Sequence, residues 1–278
     1  MKLSVTIAGS QAKPSAFVVW RGFDDSIRKA SEYGYDGVEL ALKSADDISP
    51  KELDALLGKY NMEVSCISTG QVFADLGLYM TNPDPAAKKR AIDVFYGLID
   101  LAADYGKMIN IGRTRGFIPE GSTYEETKDL FLQTLGEINE RALKKDVTLL
   151  IEPVNRYEIN FINSLDEGAV ILEELGADNC GMMPDVFHMN IEDDYIGQSF
   201  IRNKKWVKYI HFADSNRHAP GQGHQNWEEI FSALYTIGFD GWVSAEILPI
   251  PEPDIAARQA VDFLKDKIKI YNAKLHSK

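Results

Sequence analysis

The chain has 278 residues, 45% hydrophobic and 26% charged, with a formal net charge of −12, which suits a globular protein the size of one α/β barrel. The acid excess argues against a nucleic-acid partner, whose phosphates call for clustered Lys and Arg. The longest apolar runs are four to six residues, far short of the roughly 18 that span a membrane.

From the start of the chain, Met1–Gln11 carries a single lysine and is broken by Ser and Thr, so it reads as a first strand and not as a secretory leader. Short β-branched or apolar runs then alternate with longer amphipathic stretches, the pattern of a parallel sheet wrapped by helices. Eight strands are predicted: Leu3–Ala8, Gly37–Ala41, Glu63–Ser68, Met108–Ile111, Val147–Glu152, Cys180–Asp185, Val207–Phe212 and Gly241–Glu246. Helical patterns between them include Asp24–Tyr33, Pro50–Tyr60, Pro85–Tyr105, Tyr124–Lys145, Leu165–Leu175, Trp227–Ile237 and Ile255–Leu275. Ser49 before Pro50, Ser122 with Glu125, and Ser164 with Glu167 mark helix starts, while Gly34, Gly106, Gly176 and Gly238 mark exits. Eight strand–helix pairs suit a closed (β/α)8 TIM barrel better than an open sheet, and no composition shift or linker divides residues 1–278, so one α/β domain is expected. No G-x-G-x-x-G follows the first strand, which leaves a dinucleotide site without support. Cys66 and Cys180 fit no metal-ligand spacing, and a reduced, cytoplasmic setting is the default.

In such a barrel the chemistry gathers where the strands end. The fifth predicted strand ends in Glu152, the sixth in Asp185, the seventh reaches His211 and the eighth ends in Glu246, at spacings of 33, 26 and 35 residues, one barrel repeat each time. Alternation along the last strand puts Trp242, Ser244 and Glu246 on one face, with Val243 and Ala245 toward the helices. Any one of the four alone reads as an ion-pair partner, a cap or a core histidine. Four on one rim read as a metal site, because carboxylates closing apolar strands are costly to bury unless paired or metal-bound. Three carboxylates and one imidazole favour Mn²⁺, with Mg²⁺ or Co²⁺ as alternatives, over structural zinc.

Glu158, His188 and Arg217 fall in the loops after the fifth, sixth and seventh strands, where they would bind the hydroxyls or carbonyl of a polar substrate. The bland alternatives are a Glu158 that neutralises Arg156 and an Arg217 in a surface ion pair. Pro220-Gly221-Gln222-Gly223-His224 is either a plain turn or a loop that shapes the mouth. Cys66, Ser68 and Gln71 are further lining candidates, with Trp20, Phe73 and Trp227 as apolar walls.

The segments Ile151-Glu152-Pro153-Val154-Asn155-Arg156-Tyr157-Glu158, Asp185-Val186-Phe187-His188-Met189-Asn190 and His211-Phe212-Ala213-Asp214-Ser215-Asn216-Arg217, with Pro220–His224 and Ala245-Glu246, resemble the xylose-isomerase-like TIM-barrel superfamily. Within it the chain is similar to the D-tagatose 3-epimerase group. Thr69-Gly70-Gln71 and Leu248-Pro249 bring it nearer the 5-keto-L-gluconate epimerase branch. The resemblance implies metal ligands at Glu152, Asp185, His211 and Glu246, proton transfer by the two glutamates, and substrate contacts from Glu158, His188 and Arg217. It also implies a homo-oligomer, a dimer or a tetramer, acting on a small ketose or keto-sugar acid, with C3 epimerised through an enediolate; the loop after Glu246, with Pro249, Pro251, Pro253 and Glu252, suits an unphosphorylated substrate. Two rivals share that chemistry or fold: a lyase of the inosose dehydratase type, and an endonuclease IV-like nuclease. The nuclease would need a histidine-rich metal cluster, and this chain has five histidines in all.

Overall fold

The computed structural model describes residues 1–14 and 16–277, so that of the expected domain only residues 15 and 278 lie outside it. The strands are β1 (Lys2–Ala8), β2 (Trp20–Arg21), β3 (Gly37–Ala41), β4 (Glu63–Ser68), β5 (Met108–Ile111), β6 (Thr148–Ile151), β7 (Cys180–Met182), β8 (Tyr209–Phe212) and β9 (Trp242–Ala245). All pair in parallel, in the order β7-β6-β5-β4-β3-β1-β9-β8, and the two-residue β2 adds to β1. Bridges from Met182 to Val207 and from Asp185 to His211 join β7 to β8. Eight strands thus close into the expected barrel.

The late strands are shorter than predicted at their ends. β6 ends at Ile151 and β7 at Met182, so Glu152 and Asp185 lie past the regular strands, although Glu152 N still donates to Ile111 O (3.1 Å) and Asp185 bridges to His211. The helices are α1 (Phe23–Tyr33), α2 (Pro50–Tyr60), α3 (Gly70–Leu76), α4 (Pro85–Asp104), α5 (Tyr124–Lys144), α6 (Leu165–Leu175), α7 (Val186–Glu192), α8 (Ile196–Arg202), α9 (Trp227–Ile237) and α10 (Pro253–Leu275). Ser49 caps α2 and Ser164 caps α6 as expected. The capping box of α5 is Thr123 with Glu126, one residue later than Ser122 with Glu125, because Thr123 is the residue with extended backbone and a hydroxyl facing the N3 amide. Gly34, Gly176 and Gly238 take the left-handed C-cap, whereas Tyr105 is the C-cap of α4 and Gly106 lies one residue beyond. The short helices α3, α7 and α8 carry too few turns to show an amphipathic period.

The core has two shells. Val38, Leu40, Val243 and Ala245 belong to the large apolar layer between barrel and helices. Inside the barrel, Cys66, Leu150, Met183 and Tyr209 pack together with Met108 and Trp242, while Ser244 meets Thr6 at 3.2 Å. The alternation expected for the last strand is therefore observed. Between β3 and β4 the pairing steps from Val38–Val64 to Glu39–Cys66, so Ser65 is an extra residue. This bulge lets the Ser65 hydroxyl reach Ser4 (2.9 Å) and Tyr209 (2.7 Å) inside the barrel.

Candidate metal and active site

Each member of the rim cluster is placed by its own strand. Glu152 follows β6, and Asn110 on β5 donates to its Oε2 at 2.7 Å. Asp185 divides its oxygens: Oδ1 accepts from Phe187 N at 2.9 Å and caps α7, while Oδ2 is buried with no hydrogen-bond partner among the described residues. His211 lies on β8 with no exposed surface. Its Nδ1 is 3.3 Å from Glu152 Oε1 and 3.5 Å from Glu246 Oε2. Glu246 follows β9. One ligand atom from each of Glu152, Asp185, His211 and Glu246 lies within 4.8 Å of the other three, and all four residues are buried.

The electrostatics set these groups against one another. Burial opposes the charge of Glu152, but the hydrogen bond and charge of His211, with His188 and Asn110, hold its carboxyl down at about 2. Burial acts on Glu246 with the adjacent Glu152 and Asp185 charges and pushes it up to about 8 against His211 and Arg217. Burial likewise raises Asp185. His211 is raised well above its ordinary value because surrounding carboxylates outweigh burial, and His188 is pushed well below its own by burial and by Arg217. A raised Glu246 carboxyl and a raised His211 imidazole are the signs of a cavity with too much negative charge for its own cations. Three hard oxygen donors and one imidazole on that cavity fit a divalent ion.

A second layer of polar groups adjoins the first. Arg217 sits at φ 61° in the loop after β8. Its guanidinium lies between the rings of Phe17 (4.4 Å) and Phe187 (4.8 Å), 2.8 Å from Asp185 Oδ2 and paired with Glu246. It is buried, so the surface ion-pair alternative fails. His188 Nδ1 lies 2.7 Å from Asn155 Nδ2, and its Nε2 lies 3.2 Å from Arg217 Nη1. Glu158 accepts from Asn155 at 3.1 Å and does not serve Arg156, whose guanidinium goes to Glu192. The structure therefore brings all seven residues expected from the sequence into one neighbourhood.

The mouth beside Glu246 is a pocket lined in part by Thr6, Phe17, Val18, Ser68, Gln71 and Arg113. Ser68 and Gln71 stand where expected, but Cys66 belongs to the barrel interior. The expected apolar walls are corrected. Trp20 packs edge-on against Tyr33 and donates to Asp254, Trp227 is wedged among Phe212, Phe231 and Phe263, and Phe73 stacks under Arg113. Phe17 is an apolar lining residue in their place. The 220–224 loop is bound to Asp214, which accepts from Gly221 N (2.7 Å), while Asn216 donates to Gln222 O (2.9 Å), so its recorded bonds run to its own base and not to the rim cluster.

Sequence reasoning passed over Glu39, Asn110, Asn155, Arg113 and Arg115. Arg115 has no exposed surface, and burial lowers it to about 10. It donates to the carbonyls of Gly112 (2.7 Å), Glu152 (2.9 Å), Phe161 (2.7 Å) and Ile162 (2.7 Å), clamping Glu152 to the loop that carries Asn155 and Glu158. Arg115→Met should strand several of these buried acceptors and lower unfolding stability by about 3 kcal/mol or more, read from the denaturant midpoint.

A closed (β/α)8 barrel with a buried carboxylate–imidazole cluster on its carboxyl rim defines a class of metal-fitting barrel proteins. The chain belongs to the xylose isomerase-like TIM barrel family, whose model matches residues 27–267. Among curated relatives it is similar to a probable ketose 3-epimerase of Synechocystis sp., 26% identical over 83% of this chain and 80% of that one. It is also similar to a ketose 3-epimerase of Arthrobacter globiformis, 27% identical over 82% and 81%. A solved D-allulose 3-epimerase from Methylomonas sp. in complex with D-allulose superposes with a TM-score of 0.80 at 22% identity, covering 96% of each chain. At that identity the superposition speaks for the fold. No helix among the described residues is long and apolar enough to cross a membrane.

Proposed function

We propose that this chain is a divalent-metal-dependent epimerase of a small unphosphorylated ketose or keto-sugar acid, inverting C3 beside the carbonyl by proton transfer between Glu152 and Glu246. The observation that carries this reading is the convergence of Glu152, Asp185, His211 and Glu246 within 4.8 Å; the activities named for the relatives support it. Those four residues would hold the ion, Mn²⁺ foremost and Mg²⁺ or Co²⁺ next. When bound, it polarises the substrate carbonyl and stabilises the charge that develops on its oxygen.

The chain's own residues supply the rest. Glu152 follows β6 and Glu246 follows β9, with β7 and β8 between them around the barrel, so the two carboxyls reach the mouth from different sides. Epimerisation needs a proton to leave one face of a carbon and return on the other. One carboxyl on each side of the carbon would serve as the base that takes the proton and the acid that returns it. Arg217, held between two rings, and neutral His188 would orient the carbonyl and its neighbouring hydroxyl, and Glu158 a further hydroxyl. The buried free thiols of Cys66 and Cys180 fit a cytoplasmic enzyme, and by its resemblance we extend the reading to a dimer or tetramer.

A panel of ketopentoses, ketohexoses and ketogluconates with added Mn²⁺ tests the reading by product analysis. Epimers at C3 support it, whereas a dehydrated product points to the lyase and cleavage of abasic DNA to the nuclease. Phosphorylated ketoses should be poorer substrates, with kcat/KM at least ~10-fold lower than for the free sugar, a barrier difference of about 1.4 kcal/mol. A barrel phosphate site draws on backbone N–H groups after the seventh and eighth barrel strands. Here the Gly221 and Gln225 amides are already committed to Asp214, and Pro249, Pro251 and Pro253 have none to offer. Preference for the phosphorylated sugar in competition assays would refute this.

A further inference from the structure

We infer that Glu39, on the third residue of β3, is a positioning residue that fixes the ring and the tautomer of His211 so that Nδ1 presents its lone pair to the ion. The inference rests on the metal reading given above. Glu39 has no exposed surface. A carboxylate there is tolerated only when its oxygens are fully engaged. Both are: His211 Nε2 lies 3.0 Å from Oε1 and 3.0 Å from Oε2, and the Tyr209 hydroxyl donates to Oε2 at 2.9 Å. Tyr209 is held in turn by Ser4 (3.0 Å) and by the bulged Ser65 (2.7 Å), and its ring meets that of His211 edge to face.

The geometry leaves one arrangement of the imidazole for metal binding. Glu39 is an acceptor, so Nε2 must carry the proton it receives. Nδ1, on the other edge of the ring, then offers its lone pair toward Glu152 and Glu246, 3.3 and 3.5 Å away. A carboxylate behind a ligating histidine both orients the ring and strengthens it as a donor, and loss of such a partner weakens metal binding ~10–100-fold. The Glu39 carboxylate bonds to His211 and Tyr209, so its influence on the cluster passes through His211.

Glu39→Leu removes the acceptor, and Glu39→Gln keeps an acceptor oxygen while removing the charge. Mn²⁺ dissociation constants, from the electron paramagnetic resonance signal of the free ion, should rise ~10-fold in Glu39→Gln and ~100-fold in Glu39→Leu. In the Mg²⁺-loaded wild type, a nitrogen–proton correlation spectrum of labelled histidine should show a protected His211 Nε2–H. Glu39→Gln should keep this signal, and Glu39→Leu should lose it. Melting of the metal-free proteins runs alongside, because a merely structural role would lower those melting points and leave the Mn²⁺ affinity of the folded fraction unmoved. Wild-type affinity in folded Glu39→Leu overturns the inference, as does an unchanged Nε2–H signal in that same variant. If Glu39→Leu does not fold, wild-type affinity in Glu39→Gln overturns it. A wild type that binds no Mn²⁺ overturns instead the metal reading beneath it.

Discussion

Glu152→Gln and Glu246→Gln are each expected to lower kcat by roughly 10³-fold or more, since each change removes an anionic ligand and a proton carrier together. Neither effect alone proves a proton path, so the hydrogen itself must be followed. Turnover in D₂O should place solvent deuterium at the epimerised carbon, because the proton taken by one carboxyl is not the one returned by the other. A hydride shift between neighbouring carbons would keep the substrate's own hydrogen. With exchange between carboxyl and solvent shown to be fast, product free of deuterium after one turnover would rule out a two-glutamate mechanism. Glutamine is the informative substitution because it preserves volume at two sites where burial is nearly complete. The Asn110 amide that donates to Glu152 Oε2 would face either end of the new amide.

The barrel was legible because its signals are local. Each of the eight long strands is a short apolar run whose period shows the two faces, and the rim residues recur once per strand–helix repeat. The strand ends were read too long for a local reason as well. Alternation continues through Glu152 and Asp185, while the regular strands end at Ile151 and Met182 and only single bonds and a bridge run on past them. The helices α3, α7 and α8 escaped because seven residues hold less than two turns of pattern. For α7 the start signal was present and was read otherwise, since Asp185 is at once a cap and a member of the cluster.

The site was legible where a charged residue closes a strand and illegible where it sits inside one. Glu39 occupies the middle of Gly37-Val38-Glu39-Leu40-Ala41. Its parity assigns it to the barrel interior, opposite Val38 and Leu40, and that was the available signal. Its partner His211 is 172 positions away, beyond any local pattern. Arg115 was hidden for a different reason: it binds four carbonyls and no carboxylate side chain, and backbone acceptors leave no mark in a sequence. The misplaced aromatic walls, Trp20 and Trp227, show the converse. A large ring near a strand end packs equally well outside the barrel.

Removal of metal should abolish activity, and addition of Mn²⁺ or Co²⁺ should restore it while raising the melting temperature. An ion that binds only the folded chain stabilises it by about 2.7 kcal/mol at a hundredfold excess over its dissociation constant, which for a chain of this size is roughly 5–10 °C. The gain should depend on pH with a defined sign. Glu246 is pushed up to about 8 and His211 is raised as well, so near neutral pH both hold protons that a cation must displace. Metal binding should therefore release protons at pH 7, and the metal-induced rise in melting temperature should grow from pH 6 toward pH 8. Glu152, held at about 2, is already ionised across that range and adds no slope. Titration calorimetry in two buffers of different ionisation enthalpy reads the released protons directly. Without metal the raised Glu246 acts in the opposite direction: its folded form holds a proton that the unfolded chain gives up near 4.5, so its contribution to stability is fully present below that value and is lost as pH rises toward 8. Metal-free protein should thus lose stability over the pH range in which metal-loaded protein gains its advantage. Full activity in a sample shown to be metal-free, or a melting point indifferent to Mn²⁺ at pH 8, would contradict the assignment of Glu152, Asp185, His211 and Glu246 as ligands.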